Sequence, residues 1–332
     1  MGVRWYRCVV FSYILRRLGQ SVIVLFIIIV ITFSLPYFQT HGILAPAFAA
    51  LGSRSSNHNV HVWAVQHGLT QAYWVRLAKY IGQLVFHFNL GYSYKEGLSV
   101  VQIIGLYVPR TIWLALSALI FTIIIAIPLG IFQASRRNTV ADYTATGTAF
   151  VLYAMPAFLL CLLAIDAFGF HFPHLPISPP SGVAPWAIFT DPKSFILPVG
   201  CLTLLSVASL SRFMRGTVLE VLVQDYVRTA RAKGCGSIRV LWRHAFRNAL
   251  GPIVTILGLA IPGLFGGALI IEYVFNYAGL GLQTYTAALN VDVPVVLGIT
   301  ILVAIFTLIG NLAADVALGM IDPRIRIEGS SK

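Results

Sequence analysis

Six apolar stretches, each about the length that a bilayer core requires, decide what this chain of 332 residues can fold into. The first runs from Ile14 to Leu35, and the others lie near 107–133, 142–168, 195–215, 250–275 and 294–319. Hydrocarbon offers no water to an unpaired N–H or C=O, so spans of this kind are confined to helices. Pro109, Pro128, Pro156, Pro198, Pro252 and Pro262 fall in or at the ends of these spans. Membrane helices accept such breaks where neighbours or water satisfy the freed carbonyls. Hydrophobic residues make up 58% of the chain and charged residues only 10%, against about a quarter charged in a soluble domain. The expected fold is an all-α membrane protein with about six transmembrane helices. Because the first span lacks a small-residue cleavage site, it reads as an uncleaved helix.

The net charge of +12 follows the topology. With the N-terminus inside, the Lys and Arg residues fall on the cytoplasmic side except for Arg54, Arg76, Lys79, Lys95, Arg110 and Lys193. That asymmetry is the positive-inside pattern, and it places both termini in the cytoplasm. The chain has no zinc knuckle and no interleaving of basic and aromatic residues, so a nucleic-acid partner is not expected. Cys8, Cys161, Cys201 and Cys235 show no paired spacing and do not suggest a disulfide framework. The expected division is a basic N-terminus with the first helix (1–36), an extracytoplasmic loop (37–106), a five-helix core (107–321) and a cytoplasmic tail (322–332). Within the core, residues 216–250 form a cytoplasmic loop.

That loop holds the most informative stretch, Asp225 to Thr255. Glu220, Gln224, Arg228 and Arg231 make one polar helical face, with Leu219, Val223, Val227 and Ala230 on an apolar row. Gly234-Cys235-Gly236 breaks the helix. Ser237 can cap a second one, on which Arg239, Arg243 and Arg247 stand four apart. A basic helix-turn-helix at a membrane surface serves either as an anchor for anionic lipid headgroups or as a docking element for another protein.

The run Asp225-Tyr226-Val227-Arg228-Thr229-Ala230-Arg231-Ala232-Lys233-Gly234, followed by His244-Ala245 and Arg247-Asn248-Ala249, resembles the cytoplasmic loop of bacterial ABC importer permeases of the dipeptide/oligopeptide/nickel branch. Ala230 and Gly234 match the third and seventh positions of the family's EAA–three–Gly pattern, and Arg228-Thr229 replaces its Glu-Ala. The resemblance continues through Tyr13-Ile14-Leu15-Arg16-Arg17-Leu18, Ile127-Pro128-Leu129-Gly130, Met155-Pro156-Ala157-Phe158, Glu272-Tyr273-Val274-Phe275 and Asp322-Pro323-Arg324-Ile325-Arg326. It covers nearly the whole chain, but the family's Pro-Gly-Asp stretch after span one is missing from Ser34 to Ala50.

The resemblance implies one half of an alternating-access pathway, coupled to ATPase subunits through Arg228, Thr229, Ala230, Arg231, Ala232, Lys233, Gly234 and Ser237. The implied partners are a second related permease, two ATP-binding subunits and an extracytoplasmic substrate-binding protein, in a bacterial or archaeal cell membrane. The implied substrates are di- or oligopeptides, with nickel or oligosaccharides as alternatives in the same branch.

The residues themselves exclude much else. The chain has no G-x-x-x-x-G-K-[ST] loop, so ATP and Mg belong to the partner chains and no cofactor is expected here. No Ser-His-Asp, H-E-x-x-H or paired-carboxylate pattern marks a hydrolase, so the chain reads as a transporter subunit rather than an enzyme. His58, His61 and His67 lie close in a Ser- and Asn-rich stretch that does not promise a helix, and no metal site is expected. Asp166, Glu272 and Asp315 lie near predicted span ends, where water or headgroups can solvate them. Ser206, Ser209 and Ser211, with Gly258, Gly263, Gly266 and Gly267, are small residues suited to close helix packing, and Glu272, Ser206 and Ser209 are also candidates for the pathway or its outer gate. The same six spans would also serve a self-sufficient channel or ion-coupled carrier, but the chain has no midplane relay and no filter-like repeat.

Overall fold

The structure, a computed structural model, describes residues 19–34, 38, 42–52, 55–171, 174–180, 184, 186–246, 248–249, 253, 256 and 268–321. These residues are overwhelmingly helical. Among the described residues three helices are long and apolar enough to cross a membrane, and a bent pair of helices, taken as one span, makes a fourth. A shorter apolar helix, α1 (Gly19–Ser34), falls within the first expected span. Most of the span expected near 250–275 lies outside the described residues, as do Gly258, Gly263, Gly266, Gly267 and the 322–332 tail.

The chain divides into two compact units. The first comprises Met1–Val108 with Leu282–Ile309. Its helices are α1, α2 (Ala45–Leu51), α3 (Asn57–Gln66) and α4 (Tyr73–His87), followed by a two-stranded hairpin of β1 (Tyr92–Ser93) and β2 (Leu98–Ser99). The stretch read as an outer loop is therefore mostly helical, and the next helix, α5 (Val100–Ser135), starts earlier than its apolar run suggests. The Ser56 side chain caps α3 by accepting from the Asn59 N–H. Tyr73, Leu77, Tyr80, Ile81 and Leu84 recur at helical spacing along α4, packing with Ile29 and Phe33 of α1. His58 and His61 do lie on a helix, α3, and both are exposed. His67 stacks on Trp63, and no group of three metal-binding side chains occurs among the described residues.

The hairpin joins the start of the last helix. Ser93, fully buried, donates its hydroxyl to Asp292, the residue before α14 (Val293–Ile321). Burial pushes the Asp292 carboxyl above its ordinary range, the Ser93 hydroxyl and the Val295 N–H oppose this, and Glu96 adds to it.

The second unit comprises Pro109–Gly281 with Gly310–Lys332. It holds most of α5, α6 (Val140–Ala154), α7 (Ala157–Ala164) with a π-helical turn (Ile165–His171), and α8 (Ala187–Thr190). Then come α9 (Ile196–Leu222), α10 (Asp225–Ala232), α11 (Ser237–Arg239) with a π-helical turn (Val240–Phe246), and helical residues 268–274 (α12). A further helix, α13 (Leu280–Leu289), begins at the division. Pro156 has no N–H to give, and the helix breaks there: α6 and α7 meet at a bend of 107°. Cys161 and Cys201 meet in one core as free thiols, alongside Leu114, Phe195 and Phe275.

A second core joins Ala126 and Ile131 of α5 to Val207, Leu210 and Met214 of α9. These two helices approach so closely that a Cβ at Gly130 would lie 2.6 Å from both Met214 Cβ and the Ser211 carbonyl oxygen. Ser211 is fully buried at this crossing. On the outward side of α5, Ile120, Phe121, Ile124 and Ile125 are exposed, as suits a helix that meets lipid or a partner.

Gly130 and Gly147 make a matched test. Gly130→Ala should lower the thermal stability of the detergent-purified chain by about 1–3 kcal/mol through overpacking. Gly147→Ala, where a Cβ meets nothing within 4 Å, should be neutral or stabilising by up to about 1 kcal/mol.

Candidate functional site

The segment predicted to dock is built from the end of α9 outward. A single helix across 219–231 is not what forms. The chain breaks at Val223-Gln224, where Gln224 is extended (φ −69°, ψ 150°), and restarts as α10. Val223 is therefore exposed rather than part of the apolar row, while Val227 and Ala230 are buried as that row predicts. They pack with Val240, against Val221, Leu222 and Cys235. Asp225 in the first turn and Arg231 in the last complement the helix dipole. The exposed Arg228–Asp225 pair at 3.7 Å adds little.

The end of α10 is sharply defined. The Cys235 N–H donates to Ala230 O at 3.1 Å, and the Gly234 N–H donates to Arg231 O at 2.9 Å. These two bonds form the Schellman closure, with Cys235 folded onto the helix it terminates. Gly234 stands at φ +80°, and a Cβ there would meet nothing within 4 Å. Its glycine is required by the backbone and not by space. Arg228, Thr229, Arg231, Ala232, Lys233 and Gly234 are all exposed, while Ala230 faces inward. The second helix does start at Ser237, but from Val240 it winds as a π-helix. The four-residue spacing of the arginines therefore does not mark an α-helical face. Arg239 is exposed, whereas Arg247 and the side chains of Ser237 and Arg243 lie outside the described residues.

The helix that carries this segment is fixed by an ion pair that the sequence reading did not single out. Arg215 of α9 grips Asp142 of α6 with two parallel bonds of 2.8 Å, from Nε and Nη2. Asp142, fully buried, also accepts from the Asn138 N–H at 3.1 Å and the Thr146 hydroxyl at 3.2 Å. Thr139 caps α6 by accepting from the Asp142 N–H. The signal available in the sequence was Thr139-x-x-Asp142 ahead of an apolar run, a helix-start pattern.

Glu272 departs from expectation. It is fully buried rather than solvated at a span end. Its carboxylate accepts from the Thr111 hydroxyl and the Gly281 N–H, each at 2.6 Å. Thr111 Oγ1 in turn accepts from the Leu280 N–H at 2.8 Å. A Cβ at Gly279 would collide with this carboxylate, and one at Gly281 with Leu269 Cα. The glycines of Gly279-Leu280-Gly281 thus let the backbone wrap the acid, and Glu272 pins the turn after α12. Ser206 spends its hydroxyl on Leu202 O of its own helix at 2.9 Å, and Ser209 is exposed. Asp166 is exposed, and the Asp315 side chain lies outside the described residues.

Against known proteins, residues 126–327 match the family described as binding-protein-dependent transport system inner membrane component. The chain belongs to this permease family. The oligopeptide transport system permease protein AppB of Bacillus subtilis is 33% identical over 95% of this permease and 99% of its own length. The dipeptide transport system permease protein DppB of Escherichia coli K12 is also 33% identical, over 95% and 98%. A chain of the inward-facing MetNI methionine ABC transporter superposes with a TM-score of 0.54 at 16% identity, covering 67% of this permease and 97% of that chain. That likeness concerns the fold alone.

Asp142→Ala should strand the Arg215 guanidinium and lower thermal stability by about 3–5 kcal/mol. The double variant Asp142→Leu/Arg215→Met should recover a large part of that loss. Denaturation of the purified permease in detergent checks both.

Proposed function

We propose that the chain is one of two related permease subunits of an ATP-driven importer of di- or oligopeptides, forming half of an alternating-access pathway. The observation that carries the substrate class is the near full-length similarity to permeases named for oligopeptide and dipeptide transport. The rest of the assembly is a second permease, two ATP-binding subunits that use ATP and Mg, and an extracytoplasmic binding protein. Both termini lie in the cytoplasm, in keeping with the distribution of Lys and Arg. This chain needs no cofactor of its own.

The docking element is α10 with its Gly234 closure. A short helix with Val227 and Ala230 buried and Arg228, Arg231 and Lys233 exposed presents a rigid, charged knob to a partner. Closure of the ATPase dimer pulls this knob, and α9 transmits the displacement to the pathway. Binding protein and ATP must each favour the outward-facing state, because a ligand shifts an equilibrium only through differential affinity.

Gly234 supplies the test. In proteoliposomes holding the complete importer, Gly234→Val should cut peptide uptake about tenfold, because a β-branched residue is strained at positive φ. Gly234→Asn, which tolerates that conformation, should keep most of the activity. Normal uptake by the Val variant would contradict the docking role.

A further inference from the structure

Two arginines stand on α9 one turn apart, and only one has a carboxylate. Arg215 is paired with Asp142. Arg212, counted on the cytoplasmic side from the sequence, lies near the middle of α9 because that helix runs on to Leu222, and it has no acidic partner among the described residues. Its guanidinium carbon lies 3.9 Å from the ring centre of Phe150 and 4.8 Å from that of Tyr153. Both rings are exposed, at 51% and 59%. They occupy the last turns of α6, directly before the 107° break at Met155-Pro156.

Each feature carries an implication. An ionisable side chain inside a membrane span faces a protein interior or a watered cavity, because lipid cannot solvate it. A broken helix at membrane depth is tolerated where it lines such a cavity, and transporters place substrate sites at discontinuous helices. Aromatic faces attract the flat of a guanidinium and offset part of its desolvation. They leave its N–H groups, which lie in the plane, without acceptors. That planar fork matches a carboxylate, which it can hold with two parallel hydrogen bonds. Stacking also holds the guanidinium in one place, so little entropy is lost when an anion arrives.

We propose that Arg212, stacked on Phe150 and Tyr153, is a carboxylate-binding station in the pathway that receives the C-terminal carboxylate of a peptide in transit. The proposal rests on the peptide-importer reading above. The station has one cation and no buried anionic partner, so its hold is firm enough to draw a carboxylate inward and weak enough to release it.

The test uses the assembled importer in nanodiscs without its binding protein, titrated with a fluorescent dipeptide and with the same dipeptide as its C-terminal amide. The wild type should bind the acid about tenfold or more tightly than the amide, as expected for a charge-assisted pair. Arg212→Gln should erase that preference and Arg212→Lys should keep part of it, with both variants recovered in the complete importer. The result should be the same with and without phosphatidylglycerol in the disc. No preference for the acid in the wild type, or an unchanged preference in Arg212→Gln, overturns the station. So does a preference that vanishes when phosphatidylglycerol is present, which would assign Arg212 to lipid phosphate. Peptide uptake by wild-type proteoliposomes, measured first, separates the two readings. Absence of uptake removes the substrate assignment itself, whereas uptake without an Arg212 effect removes only the station.

Discussion

The Asp142–Arg215 fork is the contact on which the functional part of this chain depends. A buried carboxylate amid apolar helices is tolerable only when its acceptor sites are filled. Here two guanidinium N–H groups, a backbone N–H and a hydroxyl fill them. That requirement fixes the rotation and height of α9 against α6. The Gly130 crossing fixes α9 against α5 within the same stretch, since Met214 immediately precedes Arg215 and Ser211 lies one helical turn earlier. With α9 held on two sides, α10 hangs from its end on Val221 and Leu222. A pull on α10 therefore reaches helices that cannot slide independently.

Three charged groups of the second unit are accommodated in three ways. Asp142 is neutralised by an opposite charge. Glu272 is solvated by hydroxyl and backbone donors, in a turn whose glycines give it room. Arg212 rests on aromatic faces. The first two arrangements are static and complete. Only the third leaves a charged group with unused hydrogen-bonding capacity, which is why a ligand is sought there. Glycine likewise does separate jobs: close approach at Gly130, room for a carboxylate at Gly279, and a left-handed backbone at Gly234.

Much of this was legible in the residues, because hydrocarbon leaves a chain few choices. The spans that fall among the described residues, the turn at Gly234 and the inward faces of Val227 and Ala230 follow from periodicity and glycine chemistry. The break at Val223-Gln224 did not, since nothing in local propensity forbids a helix from running through it. The helices in 37–106 escaped because polar composition masked the repeat from Tyr73 to Leu84 that buries α4. The partners of Asp142 and Glu272 are 73 and 161 residues away. Such long-range pairs have no local signature, so one acid was passed over and the other was assigned to solvent.

The central claim is that this permease works only as part of a larger importer, docked through α10. The most direct measurement is mass spectrometry of what accompanies the tagged chain, extracted from its native membrane in mild detergent. Recovery of two ATP-binding subunits and a second six-span permease is the predicted result. A chain that comes down alone, or only with copies of itself, would contradict the account and favour a self-sufficient carrier.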